Sequence, residues 1–211
     1  MNIYKKVIIY LLFIYIIIVS IYLIYRVNQG PVYNQELFDE ISNQYEELKN
    51  EDYTKNTNNI TIKNDVKTNP TYLTVNAQGN EYKIIGTIII NKLDINYPII
   101  SKTTDEYLKI APCKLCGPLI NTTGNLCIIG HNYTNNKLFS NIYKLQKNDI
   151  VTLIDNNDNS VDYKIYDKYE VQSNDTTCLD QSTNGLTNLT LITCTNKNNK
   201  RLVIKCSKEE W

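Results

Sequence analysis

The first hydrophobic stretch of the chain is continuous and has no helical or strand period. Residues Val7 to Tyr25 are all apolar or aromatic except Ser20. As a helix rising about 1.5 Å per residue, they reach roughly across the hydrocarbon core of a bilayer. The stretch is longer than the apolar part of a typical signal peptide, and no small-x-small cleavage site follows it. An uncleaved membrane anchor is therefore favoured over a cleaved signal peptide.

The charges around this stretch predict its orientation. Lys5 and Lys6 precede it with the amino terminus, whereas Arg26 is the one cation close behind it. Because flanking cations stay on the cytoplasmic side, we expect residues 1–6 in the cytoplasm. Residues 7–25 then cross the cytoplasmic membrane once, and the rest of the chain lies outside the cell.

A helical period follows the anchor. Apolar residues recur at spacings of four, four and three, at Leu37, Ile41, Tyr45 and Leu48. With a proline suited to the first turn, they predict a helix over Pro31 to Asn50, acting as a short stalk or lying on the membrane. A coiled coil is disfavoured because fewer than three heptads are present. Glu51 to Asn69 is polar and predicts a linker, so residues 26–74 are expected to form a stalk helix and linker.

From residue 82 onward the pattern changes to β-branched runs separated by turn residues, which is typical of an all-β domain. Residues 75–211 are long enough for one hydrophobic core and are expected to form a single domain. The candidate strands are Tyr82 to Ile90, Ile95 to Ile100, Leu126 to Gly130, Ile150 to Asp155, Val161 to Val171, Leu189 to Thr193 and Leu202 to Lys205.

The charge composition excludes one class of partner. The chain has 22 basic and 22 acidic residues, so its formal net charge is zero. Because nucleic-acid binding depends on excess positive charge, we expect no nucleic-acid partner.

Three residues are candidates for chemistry: His131, Cys194 and Arg201. His131 is the one histidine of the chain. A thiolate is a nucleophile, an imidazole carries protons near neutral pH, and a guanidinium can stabilise a carbonyl oxygen that becomes anionic. Taken singly, each has a plainer interpretation, because a cysteine is often a core residue and a lone His or Arg is usually at the surface.

The segments around these three residues resemble the sortase family, the membrane-anchored cysteine transpeptidases of Gram-positive bacteria. The resemblance covers roughly residues 75–206, with His, Cys and Arg in the family's order. One segment, Phe139 to Val151, resembles the family's pattern F-x-x-L-x-x-L-x-x-G-D-x-V, from which Ile142 and Asn148 depart. Four segments carry the resemblance: Ile128-Ile129-Gly130-His131-Asn132, Phe139 to Val151, Thr190-Leu191-Ile192-Thr193-Cys194 and Arg201-Leu202-Val203-Ile204.

The resemblance implies a fold and an activity. The fold would be a closed eight-stranded sortase-type β-barrel with short loop helices, preceded here by the transmembrane helix. The activity would be cleavage of an LPxTG-like sorting signal between Thr and Gly through a thioacyl intermediate. The acceptor would be an amine of the peptidoglycan cross-bridge or a pilin lysine. The short tail after Cys206 argues against a second membrane anchor, which favours a protein-anchoring enzyme over a pilus-polymerising one.

A β-hairpin would bring Arg201 back beside Cys194 at the end of the preceding strand. Cys194 would attack a peptide carbonyl, Arg201 would stabilise the oxyanion, and His131 would protonate the leaving amine. At reference pKa values near 8.5 and 6.5, the thiolate–imidazolium form is only about 1% of molecules near pH 7.5. Thr193, Leu191, Ile129 and Thr190 are weaker candidates for a peptide groove, because strand residues of this kind usually belong to the core.

No cofactor or metal is expected. With a single histidine, a His-bound zinc is disfavoured. Calcium would need convergent carboxylates, and the available acids are interpreted as solvated loop charges: Asp105, Glu106, Asp155 and Asp158.

The other cysteines leave several possibilities open. Cys113 and Cys116 form a CxxC, for which a local disulfide or free thiols are favoured over a zinc or redox site. Cys127 and Cys206 lie in candidate strands and are expected in the core, and Cys178 has no predicted role. Besides a sortase, two functions remain: a hydrolytic cysteine peptidase with the same three residues, and a non-catalytic, membrane-tethered domain that binds peptide or cell wall.

Overall fold

A computed structural model describes residues 3–28, 33–57, 72–133, 135–195 and 199–209. The chain divides into two compact units, Met1–Val32 and Tyr33–Trp211.

The first unit contains one helix, α1 (Ile3–Asn28). Its segment Ile3–Ile24 is 22 residues long and apolar enough to cross a membrane. The helix includes the whole predicted anchor, Val7 to Tyr25.

Among the described residues, the second unit contains nine strands and two α-helices. The helices are α2 (Gln35–Thr57) and the short α3 (Asp105–Leu108). The strands are β1 (Leu73–Ala77), β2 (Asn80–Ile90), β3 (Ile95–Ile100), β4 (Cys113–Cys116), β5 (Gly124–Ile129), β6 (Ile150–Asp155), β7 (Ser160–Gln172), β8 (Thr187–Cys194) and β9 (Lys200–Lys208).

Eight of the strands close into a barrel. They follow the order β2-β3-β4-β5-β8-β9-β7-β6, and β6 pairs back onto β2. The β3–β4 and β5–β8 pairs are parallel, and the other pairs are antiparallel. The expected closed eight-stranded barrel is confirmed, with β1 as an additional strand on one end of β2.

Closure depends on Gly86, where β2 changes neighbours. Residues up to Ile84 pair with β1, and residues from Gly86 onward pair with β6. Gly86 has a φ of +146°, and a Cβ at this position would lie 2.3 Å from the carbonyl oxygen of Ile154. Only glycine allows both the backbone angle and this close approach.

The interior of the barrel is filled by apolar residues from every part of the sheet, among them Ile88, Ile128, Leu191 and Ile204. Alternate residues of β8 point outward, where Ile192 packs with Val203 and Cys127 in a second cluster. Because β8 is buried on both faces, it is rigid up to the residue at its end.

Helix α2 is not a free stalk, which corrects the expectation for residues 26–74. Its Ile41 and Tyr45 are fully buried in one cluster with Val75 of β1. The Tyr45 hydroxyl also donates to the side-chain oxygen of Asn156 at 2.9 Å. The apolar stripe of the helix therefore covers the barrel, and most of the predicted linker, residues 58–71, lies outside the described residues.

Candidate active site

The ends of three adjacent strands bring the three candidate residues to one edge of the barrel. Cys194, the last residue of β8, is paired directly with Arg201 on β9. On the other side of β8, Ile129 at the end of β5 is paired with Ile192. His131 lies two residues beyond Ile129, and Cys194 lies two residues beyond Ile192. The predicted hairpin geometry for Cys194 and Arg201 is thus observed.

Hydrogen bonds fasten the turn that carries His131 to the end of β8. The Gly130 amide donates to the Ile192 carbonyl at 3.1 Å, and the Thr193 hydroxyl donates to the Gly130 carbonyl at 2.8 Å. Beyond the strand, the side-chain amide of Asn132 donates to the Cys194 carbonyl at 2.9 Å. The residues on either side of His131, Gly130 and Asn132, are therefore both bonded to the segment that presents Cys194.

Cys194 differs from the other cysteines in its exposure. All six thiols are free, and Cys194 is the exposed one, while the others are buried or partly buried. It follows a run of buried residues from Leu189 to Thr193. A rigid strand thus presents a single accessible thiol at its end.

Arg201 lies between two strands, paired with Cys194 on β8 and with Val171 on β7. It is partly exposed. Within the described part of the chain, no carboxylate lies within ion-pair distance of its guanidinium. Its charge is therefore available to a group that approaches Cys194.

His131 is partly buried and its ring packs edge-on against Tyr133, with ring centroids 5.2 Å apart and an interplanar angle of 65°. Burial lowers the pKa of His131, Asp105 raises it and Lys109 lowers it, with a net decrease from 6.5. The fold therefore favours the neutral imidazole.

The groove residues predicted beside these three occupy different surroundings. Leu191 is fully buried inside the barrel and cannot contact a peptide, so that prediction is wrong. Thr190 is also fully buried and bonds to Asn125. Thr193 is 2% exposed, and its hydroxyl is occupied by Gly130. Ile129 is partly exposed and remains the groove candidate.

Two of the acids considered for calcium make specific contacts. Asp155 accepts hydrogen bonds from the backbone amides of Asn157 and Asn159 in a turn. Asp158 forms an ion pair with Lys49 of α2 at 2.6 Å. The Asp155 contacts close the β6–β7 turn on itself, and the Asp158 contact joins that turn to α2.

Sequence reasoning missed the aromatic residues beside His131. Tyr133 packs on His131 and also contacts Tyr33, with ring centroids 5.8 Å apart. The hydroxyls of both tyrosines are buried, and neither has a hydrogen-bond partner among the described residues. Burial raises the pKa of Tyr133 to about 12. The only available sequence signal was the position of Tyr133 two residues after the histidine.

The comparison with protein families identifies the class. A family model of the sortase domain matches residues 88–209, which is more than half of the chain. The chain therefore belongs to the sortase family.

Individual relatives agree with this assignment. Sortase A of Bacillus anthracis is 29% identical over 132 residues, which make up 61% of this chain and 61% of that protein. The match thus spans less than two thirds of that relative's length. Among solved structures, a sortase transpeptidase of Clostridium perfringens has a TM-score of 0.58 at 22% identity, covering 83% of this chain and 98% of that one.

A second similar structure is sortase C of Clostridium perfringens, solved with the C-terminal cell wall sorting motif. It has a TM-score of 0.55 at 20% identity and covers 93% of this chain and 100% of that one. At these identities the two structures show that the fold is shared.

Proposed function

We propose that this protein is a membrane-anchored cysteine transpeptidase that cleaves an LPxTG-like sorting signal and attaches the surface protein to a cell-wall amine. The observation that carries the proposal is the direct pairing of the exposed Cys194 with Arg201, beside the strand that leads to His131. A nucleophile, a fixed cation and a proton carrier at one edge are what acyl transfer requires.

The proposed reaction has two steps. Cys194 Sγ attacks the carbonyl carbon of the Thr–Gly bond, and the Arg201 guanidinium stabilises the oxyanion of the tetrahedral intermediate. His131 donates its proton to the leaving glycine amine, leaving a thioacyl enzyme. An acceptor amine then attacks the thioester, gives its proton to His131 and releases Cys194 as thiolate.

The accessible space around this pair supports a peptide as substrate. Cys194 is exposed and Arg201 is partly exposed, so an extended chain can approach the end of β8. Ile129 offers an apolar contact one strand away. In this proposal the peptide lies across the ends of β5, β8 and β9.

The proposed acceptor distinguishes this function from that of a hydrolytic peptidase. Cleavage of an LPxTG-like peptide should yield a ligated product when oligoglycine is added, and Cys194→Ala should give no cleavage. Cys116→Ala is the matched control, because this partly buried thiol belongs to β4. Hydrolysed product alone would identify a peptidase, and binding without cleavage by the wild type would identify a non-catalytic module.

The proposal includes an outward-facing domain on a single anchor. The helix Ile3–Ile24 supports the anchor by its length and composition, and Lys5 and Lys6 support a cytoplasmic amino terminus. Protease added to intact protoplasts should degrade the domain that begins at Tyr33. Protection of the domain until the membrane is opened would contradict this orientation.

A further inference from the structure

The two cysteines of the CxxC segment do not face each other. Cys113 is buried in the cluster between α2 and the barrel, whereas Cys116 packs against a different cluster, which contains Cys127. A disulfide between them is therefore not favoured. Cys116 instead has a different neighbour, Cys127 on β5, with which it is paired in the antiparallel β4–β5 ladder after a register shift between Lys114 and Cys116.

The pairing of Cys116 with Cys127 is compatible with a disulfide. Directly opposed residues of antiparallel strands have Cα atoms about 4.5 to 5.5 Å apart and side chains on the same face. Disulfides span Cα separations of roughly 4.4 to 6.8 Å. Cys116 and Cys127 also share one apolar cluster. Burial and, to a smaller extent, the adjacent Cys116 thiol raise the pKa of Cys127 to about 12.

We propose that Cys116 and Cys127 are a modification site, at which a disulfide-bearing oxidant forms a cross-strand disulfide between β4 and β5. Cys116 is partly exposed, so its thiolate attacks the oxidant first. This forms a mixed disulfide and releases one thiolate. The thiolate of the buried Cys127 then attacks Sγ of Cys116 and releases the second thiolate. The released thiolates take up the two protons, so two protein thiols are oxidised and one disulfide is reduced.

The location gives this bond a structural effect. The ladder between β3 and β4 has one residue pair, Ile100 with Cys113, so this seam is the weakest in the barrel. A bond from Cys116 to β5 would hold β4 in place beside that seam. β5 also leads to His131, four residues after Cys127. The outward orientation proposed above supplies the oxidising compartment, whereas the pairing itself does not depend on that proposal.

The test is oxidation of the full-length chain in detergent with oxidised glutathione, in a Cys194→Ala background that removes the exposed thiol. Peptide mapping should find a Cys116–Cys127 link, accompanied by the loss of two free thiols. Thermal unfolding should shift upward by roughly 5 °C, because the bond restricts the unfolded chain. None of these measurements requires enzymatic activity, so a negative result here is separate from a failure of the proposed function.

Matched variants keep the result unambiguous. Cys116→Ser should abolish both the link and the thermal shift, whereas Cys113→Ala and Cys178→Ala, which add no hydroxyl to a buried position, should retain both. Because Cys127→Ser alters a fully buried position and could unfold the chain, the partly exposed Cys116 is the deciding variant. A Cys113–Cys116 or Cys127–Cys178 link, or the absence of any intramolecular link, would overturn the proposal.

Discussion

The side-chain amide of Asn132 donates a hydrogen bond to the backbone carbonyl of Cys194 across 2.9 Å. The two residues are 62 positions apart in the chain, yet they join the turn after His131 to the end of β8. This bond gives Asn132 a positioning role, because it holds the proposed proton carrier near the proposed nucleophile.

Replacing Asn132 should therefore affect catalysis more than stability. The bond is exposed, so Asn132→Ala should leave the thermal midpoint nearly unchanged. We expect kcat to fall roughly fivefold to tenfold with KM little altered, from a loss of about 1 kcal/mol of positioning. Asn96→Ala, at an exposed position of β3, is the control and should change neither quantity. Equal kcat for both variants would remove the positioning role.

The protonation of His131 can be measured directly, because the chain contains one histidine. Its imidazole resonance should titrate with a midpoint below 6.5, because burial lowers its pKa. Lys109→Gln removes a positive charge and should move the midpoint upward, whereas Asp105→Asn should move it downward. A midpoint at or above 6.5 in the wild type would contradict the burial of the ring.

The same variants should change the pH profile of activity. If the active form is thiolate–imidazolium, the acidic limb of kcat/KM follows the pKa of His131. A higher pKa moves that limb to higher pH and raises the plateau, so Lys109→Gln should be faster near neutral pH and Asp105→Asn slower. A slower Lys109→Gln together with a faster Asp105→Asn would exclude His131 as the acid.

The unpaired hydroxyl of Tyr133 predicts a stabilising substitution. Tyr133→Phe removes a buried group without a hydrogen-bond partner among the described residues, and should raise the free energy of unfolding by about 1 kcal/mol. Tyr163→Phe is the matched comparison, because the Tyr163 hydroxyl donates to Asn121 at 3.1 Å. That variant should lose about 1 kcal/mol. Urea unfolding of both variants measures these free energies. A destabilised Tyr133→Phe would contradict the assignment of an unpaired hydroxyl to Tyr133.

Truncations test whether α2 belongs to the folded domain. A chain that begins near Tyr33 should fold as a soluble domain, whereas removal of α2 through Thr57 should expose an apolar surface and cause aggregation. Ile41→Ala should lower the free energy of unfolding by about 3 kcal/mol, because this side chain is fully buried. Glu47→Ala, at an exposed position of the same helix, should cost close to nothing. Equal stability of the two variants would restore the free-stalk interpretation.

Much of the fold could be predicted from the sequence because long strands carry strong β-branched patterns. All seven candidate strands correspond to observed ones. The missed strands are short: β1 has five residues and β4 has four. The sequence did carry a signal for the turn between β1 and β2, namely the glycine at position 79. A two-residue hairpin turn requires positive φ, and Gln78 and Gly79 both have it.

The parts of the site that escaped prediction depend on long-range contacts. The pairing of Cys194 with Arg201 follows from a local hairpin and could be predicted, but the bonds from Asn132 and Thr193 join segments far apart in sequence. The periodicity of α2 revealed an apolar face without indicating what would cover it. Leu191 was misassigned because the alternation in β8 does not reveal which face lies inside the barrel.

Asn148 shows how one departure from the family pattern is accommodated. It occupies the position where the pattern has glycine, and its φ is +73°. Asparagine tolerates this left-handed conformation better than most residues do. The departure therefore preserves the turn before β6.

The central claim is that Arg201 acts on the carbonyl attacked by Cys194, and Arg201→Lys tests it most directly. Lysine keeps the charge but lacks the forked donors, so loss of the oxyanion contact should cost about 2 to 4 kcal/mol in transition-state stabilisation. Lys208→Gln, near the far end of β9, controls for general electrostatics. The measurement is kcat/KM for an LPxTG-like peptide with oligoglycine. A fall of roughly thirtyfold or more in Arg201→Lys alone is predicted, and an unchanged rate would contradict the account.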